Sequence, residues 1–265
     1  MPLPDGRDYV IGKGRVFFDK MLPGTKTLTG ERFLGNAPEL NDSQDNETLD
    51  HFSSTEGLNE RDESIIIEQN QNISLTVDNI NLENVALWYG GNVETETVAG
   101  STSSSDKIVL RRGYSYQLGT SADTPSGVRK VTNVTLSTPA ANPEDPGVTV
   151  DIEGNVEVDL ELGRIYVELD APDIDDETEV TINYDVEAQV RKTIIGKGEM
   201  IYGALRFISN NPHGPQKDQF YPYVKLTANG DYSLINTEWQ QMSFNVEVLK
   251  RDSRTARVYV DGRAT

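Results

Sequence analysis

Between Thr178 and Val190 the chain reads TEVTINYDVEAQV, with Val180, Ile182, Tyr184, Val186, Ala188 and Val190 at every second position. Thr181, Asn183, Asp185, Glu187 and Gln189 fall between them. Successive side chains of a strand point to opposite faces, so this pattern buries one face of a sheet and wets the other, whereas a helix would scatter it around its circumference. QMSFNVEVL repeats the pattern with Met242, Phe244, Val246 and Val248, and QNISLTV repeats it with Ile73, Leu75 and Val77. β-branched and aromatic residues also crowd GRVFFD, VRKVTNVTL, GNVEVDLELGRIYVEL, GEMIYGALRFIS, DQFYPYVKLTANG and ARVYVDG. Roughly a dozen strands are expected.

A single stretch reads as helix. In VDNINLENVALWYGG, Asp78 or Asn81 can cap, Leu82, Val85, Trp88 and Tyr89 recur at spacings of three and four, and Gly90 supplies a left-handed stop. Residues 36–63 carry neither period. Their polar composition, NAPELNDSQDNETLD, predicts a long exposed loop returning into a strand at Glu63–Gln69. The expected fold is mainly β, a sandwich or barrel with one short packed helix, in a single domain over 1–265. Residues of about 120–176 form an acidic, β-rich elaboration of it.

Two segments echo each other. IGKGRVFF at 11–18 resembles IGKGEMIY at 195–202, and RFLGNAP at 32–38 resembles RFISNNP at 206–212. Either two similar hairpins or an old duplication would produce this.

Charge restricts the partners. With 24 Lys and Arg against 43 Asp and Glu, the formal charge is −19, which repels bulk nucleic acid. Sixteen acids and one base, Arg164, lie in residues 140–190, whereas residues 191–265 hold eleven bases and seven acids. Surfaces of opposite sign on one chain favour head-to-tail association of copies. There is no cysteine, which removes disulfides, thiol nucleophiles and thiolate metal ligands. The first residues lack the apolar run of a signal peptide, and no segment has the length of a membrane span, so a soluble cytoplasmic product with no membrane partner is expected.

Catalytic constellations do not assemble. Asp50-His51 lacks a third partner, and the other histidine, His213, sits in the turn NNPHGPQ. There is no Gly-x-Ser-x-Gly elbow. Each GKG opens a strand instead of joining strand to helix as a phosphate loop would. Asp173, Asp175 and Asp176 are close together but lack the glycine and terminal glutamate of a calcium loop. No enzyme activity, cofactor or metal is expected.

Several segments, taken in order, resemble a known family. GKGRVFFD, ERFLGNAPEL, ETLDHFSSTEGLNERDESIIIE and DNINLENVALWYGG are similar in order and content to the major tail tube proteins of long, flexible-tailed (siphovirus-type) bacteriophages. GRIYVELD, INYDVEAQVRKTIIG and the run from Arg206 to Lys250 resemble the second half of that family. The resemblance implies a virion protein made in the host cytoplasm. It forms rings, commonly hexameric, whose sheets join in a continuous inner β-barrel; the echo leaves a trimer of duplicated subunits open.

Rings would stack into a tube that meets a tape measure protein inside and tail terminator and distal tail proteins at its ends. DNA would pass through it without specific binding. The loop at 36–63, with Asp50, His51, Phe52, Glu56, Arg61 and Asp62, is implied to reach the next ring. If QNISLTV and QMSFNVEVL are barrel strands, Asn72, Ser74, Thr76, Ser243, Asn245 and Glu247 face the channel. The rival reading is a carbohydrate-binding or adhesion module, for which Phe220, Tyr221 and Tyr223 are the candidate aromatic cluster.

Overall fold

Alternation at 72–77 and at 242–248 becomes one antiparallel ladder. In the computed structural model, which describes residues 9–54, 57, 59–139 and 147–263, Met242 lies opposite Val77, Phe244 opposite Leu75 and Val246 opposite Ile73. All six are buried, and Val248 with them.

Along the chain, β1 (Gly14–Lys20), β2 (Arg32–Phe33), β3 (Glu39–Ser53) and β4 (Glu60–Val77) precede helix α1 (Leu82–Trp88) and β5 (Gly91–Val98). Then follow β6 (Ser101–Leu110), β7 (Ser115–Gln117), β8 (Val131–Thr138), β9 (Val148–Val150), β10 (Val156–Asp159), β11 (Arg164–Val167) and β12 (Thr178–Val186). The last five strands are β13 (Gln189–Gly196), β14 (Ile201–Ser209), β15 (Lys217–Asn229), β16 (Met242–Val248) and β17 (Tyr259–Gly262). The protein is therefore mainly β, and α1 is the one α-helix among the described residues. The expectation of a sandwich or barrel needs correction for the largest sheet. It is open, in the order β2-β1-β14-β15-β16-β4-β3 with β17 paired to β15, and no sheet among the described residues closes on itself.

The chain divides into two compact units, Met1–Glu94 with Ile194–Thr265 and Thr95–Thr193, in place of the single domain expected. Each has its own apolar core, which is the physical mark of a separate unit. The first core gathers Val16, Phe18, Leu34, Ile73, Leu75, Leu205, Tyr221, Val224 and Phe244. The second gathers Leu110, Leu136, Ile165, Val167, Val180 and Ile182 from the sheets β6-β12-β8-β9 and β10-β11-β7, with Leu118 and Ile174 from connections between strands. Much of the acidic stretch at 120–176 thus contributes strands to a core instead of decorating a surface; residues 140–146 lie outside the described residues.

Two local readings change. The strand expected over Val180–Val190 is two strands: Val180, Ile182, Tyr184 and Val186 are buried, but Ala188 and Val190 are exposed. Beyond Val186 the chain leaves the sheet of β12 and pairs with β5 as β13, so the alternation no longer reports one face. On α1 the buried residues are Asn84, Ala86 and Leu87, while Leu82 and Tyr89 are exposed.

Asn84 is fully buried and saturated. Its amide donates to the carbonyls of Leu34 and Asn79, both at 2.8 Å, and its Oδ1 accepts from Arg32 at 2.8 Å. It thereby fastens α1 beside β2. Asn81 caps the helix by accepting from the Asn84 N–H, and Gly90, at φ +60°, ends it. Trp88 packs against the core with its indole N–H buried and without a partner among the described residues.

Phe244 is 1% exposed at the centre of the first core. Phe244→Ala should cost about 3–5 kcal/mol, read as a lowered denaturation midpoint at unchanged slope. A loss below about 1 kcal/mol would mean that the ladder does not carry this core.

Candidate assembly interface

The loop expected over 36–63 needs correction, since Glu39–Ser53 lie in β3 and residues 60–63 in β4. β3 and β4 pair from Glu39 opposite Thr76 to Ser53 opposite Glu60, with irregularities after Glu47 and after His51. β4 takes β16 as its second partner only over Asn72–Val77. From Gln71 back to Glu60 the ladders of the described residues give it β3 alone. This is a two-stranded ribbon, an arm, of about eleven residues a side, or roughly 35 Å at the strand rise of about 3.3 Å per residue. Its side chains are exposed on both faces, so no apolar alternation is required of it.

The arm carries five of the candidate contact residues. Arg61 donates to Asp50 at 3.1 Å, and the Ser64 hydroxyl donates to the other Asp50 oxygen at 2.6 Å. His51 Nδ1 and Asp62 Oδ1 share a hydrogen bond of 2.6 Å. Asp62 is the extra residue of the irregularity that leaves His51 opposite Glu63 and Phe52 opposite Arg61. A bulge re-aims a side chain, and here it brings Asp62 to the imidazole. Glu56, the sixth candidate, lies outside the described residues.

What the arm exposes is apolar and acidic together. Leu49, Phe52, Ile65, Ile66 and Ile67 are each more than half exposed, Ile66 at 62%. Glu47 stands directly opposite Glu68, a like-charge pair that works against the ribbon and that a cation from elsewhere would relieve. An exposed ribbon with free edges and apolar side chains is a template for association.

The candidate channel residues lie together on one face of the β4–β16 ladder. Asn72 pairs with Glu247, Ser74 with Asn245 and Thr76 with Ser243, whose hydroxyls are 3.1 Å apart. Their neighbour on β15 is Lys225, whose ammonium is 2.7 Å from Glu247. Locally this face is polar, and Glu39 of β3, opposite Thr76, adds an acid to it beyond the Lys225–Glu247 pair.

A second apolar surface escaped the sequence reading. The loop between β15 and β16 exposes Leu234, Ile235 and Trp239, the last two at 95% and 92%. Gln240 braces the loop by donating to the carbonyls of Ser233 and Leu234, and Tyr232 anchors it with its ring 5.8 Å from that of Trp88. A tryptophan between two turns was the available signal. The loop follows Asn229 and precedes Met242, which pairs with Val77, so it lies at the end of β4 remote from the arm.

Other candidates are held in internal contacts. Asp173 bonds Asn155, while Asp175 and Asp176 bond Arg112. Tyr221 is buried, its hydroxyl donating to Asp42 and Gln219 with its pKa raised by burial and by the Asp42 charge. Phe220 is covered by the Arg206 guanidinium and Tyr223 stacks on Tyr202, so these aromatics form no single exposed platform. In the second GKG, Gly198 at φ +63° makes the turn between β13 and β14. The two RF copies take related places: Phe33 and Arg206 both pair with Phe17, one on each side of β1.

Hydrogen bonds from Ser64 and then Arg61 hold the Asp50 carboxyl below its ordinary value of 3.8. A depressed pKa stabilises the folded arm tip above the ordinary value, and this contribution is lost as pH falls through the depressed one. The Asp50 carboxyl resonance should titrate with a midpoint below 3.8, and Ser64→Ala should move it upward. A midpoint at or above that value would separate Asp50 from both partners.

No curated protein matches the chain. A family model described as "Protein of unknown function UCP028589" matches residues 9–259, nearly the whole length, and the chain belongs to that family.

Proposed function

We propose that this protein is a structural virion protein that polymerises, ring upon ring, into the tail tube of a long-tailed bacteriophage. The observation that carries the reading is the arm: a paired ribbon that buries almost nothing in its own chain while exposing three consecutive isoleucines, Leu49 and Phe52. A monomer gains no stability from such a surface. Docked on a second copy, the same residues leave water at about 25 cal/mol per Å² of apolar area. Copies that join through unlike surfaces form closed rings or open stacks.

In this reading the polar face of β4, β15 and β16 lines the channel of a barrel closed by neighbouring copies. The inter-ring contacts include Asp50, His51, Phe52, Arg61 and Asp62. The −19 charge supports a conduit, since a wall that does not exchange counterions with phosphate lets DNA slide. Tape measure protein within the tube and terminator and distal proteins at its ends are the partners that the resemblance supports.

Concentrated protein should show rings or tubes with an axial channel in electron micrographs; dispersed globules at every concentration would overturn the reading. Replacing residues 47–68 by a two-residue Asn-Gly turn should leave a folded β protein, because no described residue in that span is buried. Its circular dichroism should match the parent, and its assembly should be lost. Normal tubes from the shortened chain would remove the arm from the interface.

Glu247→Lys tests the wall. It trades the pair with Lys225 for two adjacent lysines, at about 0.5–1 kcal/mol for a cross-strand pair. Tubes should still form, and should now retain double-stranded DNA at low salt and release it as salt rises. Equal retention by parent and variant would mean that this face does not line the channel.

A further inference from the structure

One cleft of the first unit has a chemistry that matches the arm. It holds about 310 Å³ between β1, β2, α1 and the start of β5, and is lined by Phe18, Ala86, Leu87 and Val93 together with two cations, Lys20 and Arg32, and one acid, Glu83. Lys20 Nζ donates to Asn92 Oδ1 at 2.8 Å, and Arg32 donates to Asn84 Oδ1 at 2.8 Å. Among the described residues neither cation has a carboxylate within 4.0 Å. Asp19, beside Lys20 in sequence, spends its Oδ1 on the N–H groups of Thr29 and Gly30.

Burial lowers the pKa of both cations, against the weaker opposing charges of Glu199 for Lys20 and Glu83 for Arg32. Lys20 also donates to the Gly91 carbonyl at 3.4 Å, so both half-buried cations are held by neutral acceptors, which replace less of the lost hydration than a carboxylate would. The cleft therefore offers an apolar floor and two positive charges against one acid, Glu83, an excess of one positive charge that favours a ligand both apolar and acidic.

The arm is that ligand in composition. Glu63 and Glu68 flank Ile65, Ile66 and Ile67, and Glu68 faces Glu47 across the ladder, with neither glutamate in an ion pair among the described residues. In the sheet order β2-β1-β14-β15-β16-β4-β3 the cleft belongs to one margin and the arm to the other. β1 and β4 are four strand spacings apart, roughly 19 Å at about 4.8 Å each. Complementary surfaces at opposite margins of one sheet link copies head to tail.

We infer that the cleft beside Lys20 and Arg32 receives the Glu63–Glu68 segment of a second copy's arm. The inference rests on the assembly reading above and adds to it the receptor and the charges that select it.

Because the chain has no cysteine, two introduced thiols report the contact without background. Copies carrying Ile66→Cys, mixed with copies carrying Val93→Cys and oxidised, should give a disulfide-linked dimer. A double variant should give a ladder of higher oligomers. Lys20→Glu in the Val93→Cys copy should cut the yield at least ten-fold with circular dichroism unchanged. Glu63→Lys and Glu68→Lys in the arm copy should restore most of it.

Crosslinking of either single variant to itself would pair like with like and overturn the inference. So would a yield indifferent to Lys20→Glu. Tubes visible by microscopy with no Ile66–Val93 crosslink would remove this receptor and leave the assembly reading standing. A chain that remains monomeric and uncrosslinked at every concentration would remove both.

Discussion

The ladder between β4 and β16 is the constraint on which the first unit depends. Ile73, Leu75 and Val77 on one strand and Val246, Phe244 and Met242 on the other put six buried side chains on one face, and a shift of either strand by one residue would turn its three toward water. That single register holds the polar sets Asn72, Ser74, Thr76 and Ser243, Asn245, Glu247 on the other face. It also determines where pairing with β16 stops, at Asn72, and therefore where β4 begins to serve as one side of the arm.

β4 thus joins two physical regimes within eighteen residues. Its C-terminal third is specified by burial. The remainder is specified by hydrogen bonding to β3 and by side-chain pairs such as Asp50 with Arg61 and His51 with Asp62, none of which withdraws much apolar area from water. Exposed pairs of that kind contribute little to stability. The tip of the arm is therefore held weakly.

How much of this was readable from the residues follows the same division. The buried ladders were legible, because period two is a direct consequence of one wet and one dry face: Phe244, Leu75, Val180 and Ile182 were all expected inside and are. The ribbon was not, since strands exposed on both sides need no pattern and polar composition then looks like a loop. Asn84 was missed for the opposite reason, as a polar residue is welcome in a core only when its partners, here Leu34, Asn79 and Arg32, come from elements distant in sequence. Of the candidate interface residues, the polar face was legible in full, and the arm residues were found as a cluster but assigned to the wrong kind of backbone. The Trp239 loop was passed over because periodicity says nothing of apolar residues outside strands and helices.

The insertion of residues 95–193 between the two parts of the first unit has a consequence for synthesis. Met242 follows Val77 in the ladder but not in the chain, and the whole second unit is made between them. At about 5–20 residues per second, the apolar face of β4 waits on the order of 10 to 30 seconds for its partner on the ribosome. The second unit, contiguous in sequence, can complete its own core meanwhile. A nascent chain therefore shows neighbours on the same polysome an unfinished sheet, and only on near-completion of translation does the margin carrying β1 pair with β14 and take its final form. The first unit's sheet is therefore completed late, as a property of the order in which the strands are made.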